Sequence, residues 1–340
     1  NAIFEENETK ILADKNFKKF IKLNESWLLP YSAFCVQRDQ YKTADFTSWK
    51  THKKYIAGKI APFFSPKNKN FKKAMLHSWV QFQLHLQLKD AVEYIHSLGI
   101  SLKGDLPIGI YRHSVEAWTE PELFEMNFQA GAPPDQFSDL GQNWGFPTYN
   151  WEKMKENGYL WWKNRFQALE QYFDAMRIDH ILGFFRIWRI PTTATQGVLG
   201  YFHPAIPVTL EEFELHKIEF NKERFCNPFI NDQVLLNFFG DDSESIIKEF
   251  LKKNADGNFN FKEEFNSQRK LQDYFDKNPN DAAGKLISLA ANVLFLIEEK
   301  DGVEVYHPRI HISKTDSYKY LSATEKQQVD FIYDDYFYKR

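Results

Sequence analysis

The sequence predicts an α/β protein, a partial (β/α)8 TIM-type barrel with long inserted loops and a mostly helical insertion. Two observations carry this prediction. A segment of helical period followed by a short strand with polar residues at its end occurs twice, over 76–108 and again over 162–180. Neither glycine-rich phosphate turn of a doubly wound sheet, GxGxxG or GxxxxGK[ST], is present. Both architectures put their chemistry at the carboxyl ends of the strands.

Residues 5–60 read as helix with breaks, and Pro30 is expected to interrupt the run Trp27, Leu28, Tyr31 and Phe34. Ser65 to Asn70 is a polar turn region. Leu76, Val80, Leu84, Leu88, Ala91 and Ile95 recur with a 3.6-residue period, which predicts one long helix with that stripe as its apolar face. Gly99 stands where a helix C-terminal glycine belongs. Ile100 to Ile108 then reads as a strand. A long connection, 109–158, follows. It carries Pro121, Pro133, Pro134 and Pro147, and a structureless stretch of that length is usually functional. Trp162, Phe166, Leu169 and Phe173 form the second helical stripe, ahead of the strand Met176 to His180. Residues 206–340 change character. Asp232 and Ser243 are expected to cap helices, a further helix is expected over 266–276, and Asp301-Gly302 predicts a hairpin. The expected division is thus a barrel part, 1–205, with the loop 109–158 beside its groove, and an inserted part, 206–340.

Composition excludes several classes. Of the 340 residues, 43 are Lys or Arg and 46 are Asp or Glu, a net charge of -3, so no global basic field attracts nucleic acid. No apolar run is long enough to span a bilayer. Cys35 and Cys226 are too few for a disulfide framework or a zinc cage and read as reduced thiols. No cofactor and no metal are expected. His307 and His311 have helical spacing, but Pro308 between them argues against a metal-binding helix.

The residues that could carry chemistry lie at the two strand ends and in the long loop. Arg177 and Asp179 share a strand face, and a nearby guanidinium keeps a carboxylate ionised. An ionised, positioned Asp is what a glycoside nucleophile must be. An ordinary ion pair would look the same. Asp105 ends the earlier strand, and a turn-forming Asp is its plainer explanation. In the loop, Gly131 to Asp135 and Gly141 to Tyr149 are stiffened by proline and glycine. They offer amides and Trp144, which suit hydroxyls and sugar faces. A packed surface loop is the plainer explanation here too.

Together these segments resemble one family. Gly-Asp-Leu-Pro-Ile at 104–108, Gly-Ala-Pro-Pro-Asp at 131–135, Gly-Gln-Asn-Trp-Gly-Phe-Pro at 141–147 and Arg-Ile-Asp-His at 177–180 look like the 4-α-glucanotransferase, or amylomaltase, family of glycoside hydrolases. Trp144 to Trp151 and Ile181 to Trp188 are closest to the branch holding the plant cytosolic disproportionating enzyme and its bacterial relatives, as is a long insertion after the second strand. His113-Ser114 departs from the Asp-Ser that amylomaltases often carry. The resemblance implies a retaining double displacement that moves glucosyl or maltosyl units between α-1,4-glucans, donor and acceptor alike. It implies Asp179 as nucleophile and Arg177 as the residue orienting it. It implies Asp105, His180, Asp135, Gln142, Trp144 and Pro147 as substrate-binding residues, and a cytoplasmic location. A hydrolytic α-glucosidase or amylase-type barrel and a non-catalytic glycan-binding piece are the alternatives.

A retaining site needs a second carboxylate as acid/base. Glu298 and Glu299 follow an apolar run but fall in the predicted hairpin, and we set them aside. The family's Glu-Asp-Leu-Gly-like segment does not occur in the sequence. The chain begins Asn1-Ala2 without Met and ends inside a predicted helix, so an internal fragment, inactive alone, is the expectation.

Overall fold

The structure is a computed structural model that describes residues 2–340. It is mixed α/β and divides into two compact units, Asn1–Met126 with Tyr149–Ile181, and Asn127–Thr148 with Leu182–Arg340.

In the first unit, helices Ala2–Ala13, Lys15–Leu23 and Glu25–Tyr41 precede the long helix Phe71–Ser97. Asp14 separates the first two because its carboxylate takes the Asn16 and Phe17 N–H groups, a side-chain cap. Pro30 does not break its helix as expected. It lies buried inside Glu25–Tyr41, where packing outweighs the one backbone bond it removes. The helices at 25–41 and 71–97 meet through small side chains, Ala33, Ala74 and the bonded Ser32–Ser78 hydroxyl pair at 2.8 Å. The long helix forms where its period placed it, but its buried face is different. Met75 and Phe82 join a cluster of Phe4, Phe17, Phe20 and Leu28, and Ser78 is buried on the same side, while Val80, Leu84 and Leu88 are exposed. Periodicity located the helix but could not rank two apolar faces.

The strand Lys103–Leu106 pairs parallel with Ala175–Ile178, placing Asp105 opposite Arg177. Both strands are shorter than drawn from sequence: 100–102 and 107–108 fall outside the first, and Asp179 and His180 lie in the turn after the second. At the other end Asp174 fixes the pair. Its carboxylate accepts the Leu102 N–H at 2.8 Å and bonds His96 Nε2 at 2.9 Å. Gly104 is required: a Cβ there would stand 2.7 Å from the Phe173 ring.

The second unit holds a four-stranded antiparallel sheet that the sequence did not suggest. Its order is Gln142–Asn143, Phe128–Ala132, Ile187–Pro191, Tyr201–His203. Beyond it are the helices Asp232–Phe239, Ser243–Phe250, Gln268–Phe275 and Ala283–Leu289, which share one core built on Leu235, Phe250, Leu271 and Leu286. Asn231, not Asp232, caps the first of these, its Oδ1 accepting the Val234 N–H at 2.8 Å. Ser243 starts the second but donates its hydroxyl to Gly240 O instead of capping. The hairpin Phe295–Lys300 and Val303–Pro308 forms as predicted, with Asp301 and Gly302 both left-handed.

Candidate active site

The predicted site residues fall into both units. Asp105, Arg177, Asp179 and His180 belong to the first; Asp135, Gln142, Trp144 and Pro147 belong to the second.

In the first unit the parallel register brings Arg177 directly across from Asp105. Arg177 Nε donates to Asp105 Oδ1 at 2.9 Å and Nη2 donates to Oδ2, a two-pronged fork. This pairing was not expected from sequence, because register decides it. The hydrogen bond from Arg177 holds the Asp105 carboxyl below its usual range, and the same bond raises the arginine, with the charge of Asp179 adding to the effect. Asp179 extends the ladder by one rung, its N–H donating to Leu106 O at 3.0 Å. His180 follows with a left-handed backbone, φ 48°. Leu106 is fully buried beneath this strand end, while Asp105, Arg177, Asp179 and His180 are exposed to solvent.

In the second unit the loop between strands is stiff for visible reasons. Gly131 and Gly141 have no room for a Cβ, which would lie 2.1 Å from Gln142 O and 2.6 Å from Ala132 O. Asp135 Oδ1 accepts the Phe137 and Ser138 N–H groups, both at 2.9 Å, and so closes the turn. Trp144 Nε1 donates to Gln142 Oε1 at 3.0 Å, and its ring stacks on Phe146 at 5.8 Å and 25°. Pro147, which follows, is buried. Sequence reasoning passed over Phe137, which is 83% exposed at the turn that Asp135 closes. The Asx-turn pattern Asp135 to Phe137 was the signal that could have found it.

Glu298 takes no part in either group. Its carboxylate receives Arg189 Nη2 on one oxygen and lies 2.8 Å from His307 Nε2 on the other. His307 Nδ1 in turn lies 2.8 Å from the Tyr336 hydroxyl, and its ring stacks on Tyr201 at 3.9 Å. Burial alone would raise Glu298, but His307 and Arg189 overcome it and hold the carboxyl at about 2. A general acid needs the opposite shift.

Carboxylates at a strand end, and a rigid loop of amides and rings, are the parts from which carbohydrate-processing proteins are built. The sequence model of one protein family, glycoside hydrolase family 77, 4-alpha-glucanotransferase, matches residues 1–321, and the chain belongs to that family. It is 36% identical over 348 aligned residues to the 4-alpha-glucanotransferase DPE2 of Oryza sativa subsp. japonica, covering 99% of this chain and 36% of that protein. It is 30% identical to the 4-alpha-glucanotransferase of Synechocystis, over 58% of this chain and 40% of that one, and 32% identical to that of Aquifex aeolicus, over 70% and 49%. The chain thus spans between a third and a half of these relatives' length. Among solved structures, amylomaltase from Streptococcus agalactiae, determined with acarbose, is similar with a TM-score of 0.53 over 99% of this chain and 78% of that one. At 20% identity this likeness shows the fold alone.

Proposed function

We propose that this chain is part of a 4-α-glucanotransferase that moves glucosyl or maltosyl units between α-1,4-glucans by retaining double displacement. Asp179 is the nucleophile. Its carboxylate oxygen attacks the anomeric carbon, the glycosidic C–O bond breaks, and a proton from an acid/base carboxylate supplied outside this sequence goes to the leaving oxygen. A glucan hydroxyl then reverses the step. Arg177, locked by Asp105, orients Asp179 and supports its negative charge. Asp105 and His180 meet the donor sugar. Asp135, Gln142, Trp144 and Pro147 shape the groove loop, with Trp144 and the exposed Phe137 as flat surfaces for glucose rings. The observation that carries this is the Asp105–Arg177 fork, two residues before Asp179, in a chain of this family.

The same reading takes the parallel strand pair and the exposed stripe Val80, Leu84 and Leu88 as parts of an incomplete (β/α)8 barrel, 1–205, with 206–340 inserted into it. It takes the protein to be cytoplasmic. No helix among the described residues is long and apolar enough to cross a membrane.

Maltotriose tests the activity. The polypeptide carrying this chain together with an acid/base carboxylate should yield products longer than maltotriose, and Asp179→Asn should abolish them without unfolding the protein. Glucose and maltose as sole products would mean hydrolysis, and undiminished transfer by the variant would remove Asp179 from its role.

A further inference from the structure

The groove loop is tied to a helix far along the chain through one buried amide. Gln268 opens the helix Gln268–Phe275, whose N-terminus Ser267 caps by accepting the Lys270 N–H, and Gln268 is only 1% exposed. Nothing in the sequence marked it. A polar side chain this deeply buried has to be satisfied, and Gln268 is satisfied almost wholly by one segment. Its Oε1 accepts the Thr195 N–H at 2.9 Å, the Gln196 N–H at 3.1 Å and the Thr195 hydroxyl at 3.3 Å. Its Nε2 donates to Gln196 Oε1 at 2.8 Å and to Ile287 O at 2.9 Å. The next residue reinforces the clasp, Arg269 N–H donating to Thr193 O at 2.9 Å.

The clasped segment bears directly on the loop. Val198 N–H donates to Leu140 O at 2.9 Å, and Asn143 Nδ2 donates to Thr195 O at 3.4 Å. Gly197 is packed so closely that a Cβ would lie 2.8 Å from Ala132 O and from Gln142 N. Trp188 Nε1 holds the same glycine from behind through its carbonyl, at 2.8 Å. Every link from Gln268 to the backbone of Gln142 is therefore a hydrogen bond or a backbone contact with no slack. Gln142 then holds the Trp144 indole.

We propose that Gln268 is a positioning residue for the Gln142–Trp144 platform, so that the helical segment sets the geometry of the glucan groove. The sugar-binding part of this rests on the function proposed above; the wiring does not.

Gln268→Met keeps the length and apolar stem but leaves the Thr195 and Gln196 N–H groups unpaired. Gln196→Leu, which removes only the Nε2 partner, is the milder second variant if the first fails to fold. The 340-residue chain is labelled with 5-fluorotryptophan, the Trp144 19F resonance is assigned with Trp144→Phe, and maltoheptaose is titrated. The expected result is a shifted or broadened Trp144 resonance, amide exchange at Val198 faster by roughly tenfold, and weaker maltoheptaose binding. A Trp144 resonance and Val198 exchange unchanged in both variants would overturn the proposal, as would weaker binding with both unchanged. If both move while even the unaltered chain ignores maltoheptaose, the positioning role stands and the glucan function of the loop falls.

Discussion

Removing the charge of Glu298 should destabilise the second unit by about 3 kcal/mol. Glu298→Gln keeps the shape but removes the negative charge that Arg189, 2% exposed, and His307, 1% exposed, both bond. Two routes give the magnitude. A carboxyl lowered from 4.5 to about 2 in the folded protein contributes about 3 kcal/mol at neutral pH. Breaking one side of a buried ion pair costs about 3–5 kcal/mol in general. The sign with pH follows from linkage. The contribution is whole above pH 4.5 and is lost as pH falls toward 2, because the unfolded carboxylate takes up its proton first. His307 is lowered by its burial, so its contribution is present above its unfolded value of 6.5 and shrinks as the pH falls below it. Urea unfolding at pH 7, followed in the second unit, is the assay. With a slope of about 2–3 kcal/mol per molar for a unit of this size, the midpoint should fall by roughly 1 M. The difference between the two proteins should shrink as the pH drops below 4.5. A variant within about 0.5 kcal/mol of the parent at pH 7, the range of an ordinary surface change, would refute the reasoning.

Two further outcomes follow. Gly104→Ala forces a methyl to within 2.7 Å of the Phe173 ring and 3.1 Å of the Met176 sulfur, so thermal unfolding should show a loss of about 1–3 kcal/mol, and a neutral result would mean that the strand pair tolerates separation. Burial pushes the Cys226 thiol up to about 12 and raises Cys35 in the same direction. Neither the buried Cys35 nor the half-buried Cys226 should alkylate with iodoacetamide at pH 8 in the folded chain, while both should in urea, and rapid labelling of the native protein would contradict their raised thiol pKa values.

Much of the fold was legible because its signals are local. The helix at 71–97, Gly99 after it and the Asp301-Gly302 hairpin need only neighbouring residues to specify them. The antiparallel sheet was not legible, because Phe128–Ala132 and Ile187–Pro191 pair across about sixty intervening residues and present no alternating pattern. The same division holds at the site. Asp105 and Arg177 could each be chosen as strand-end charges, but their fork depends on a register no single strand encodes. Gln268 lay out of reach, since a buried glutamine and an exposed one read alike in a helix with polar neighbours. The stripe Val80, Leu84 and Leu88 has the composition of a core face yet is exposed, because composition does not say which face finds a partner.

The role of Asp179 as nucleophile is tested most directly by trapping. 5-Fluoro-α-glucosyl fluoride carries a leaving group that departs as fluoride without protonation. Attack by the Asp179 carboxylate therefore needs no acid/base partner, and the 340-residue chain itself can be used. Peptide mapping by mass spectrometry after the incubation should find one 5-fluoroglucosyl group on the peptide holding Arg177 to His180, absent from Asp179→Asn. A label on another carboxylate, or an equal label on the variant, would contradict the assignment.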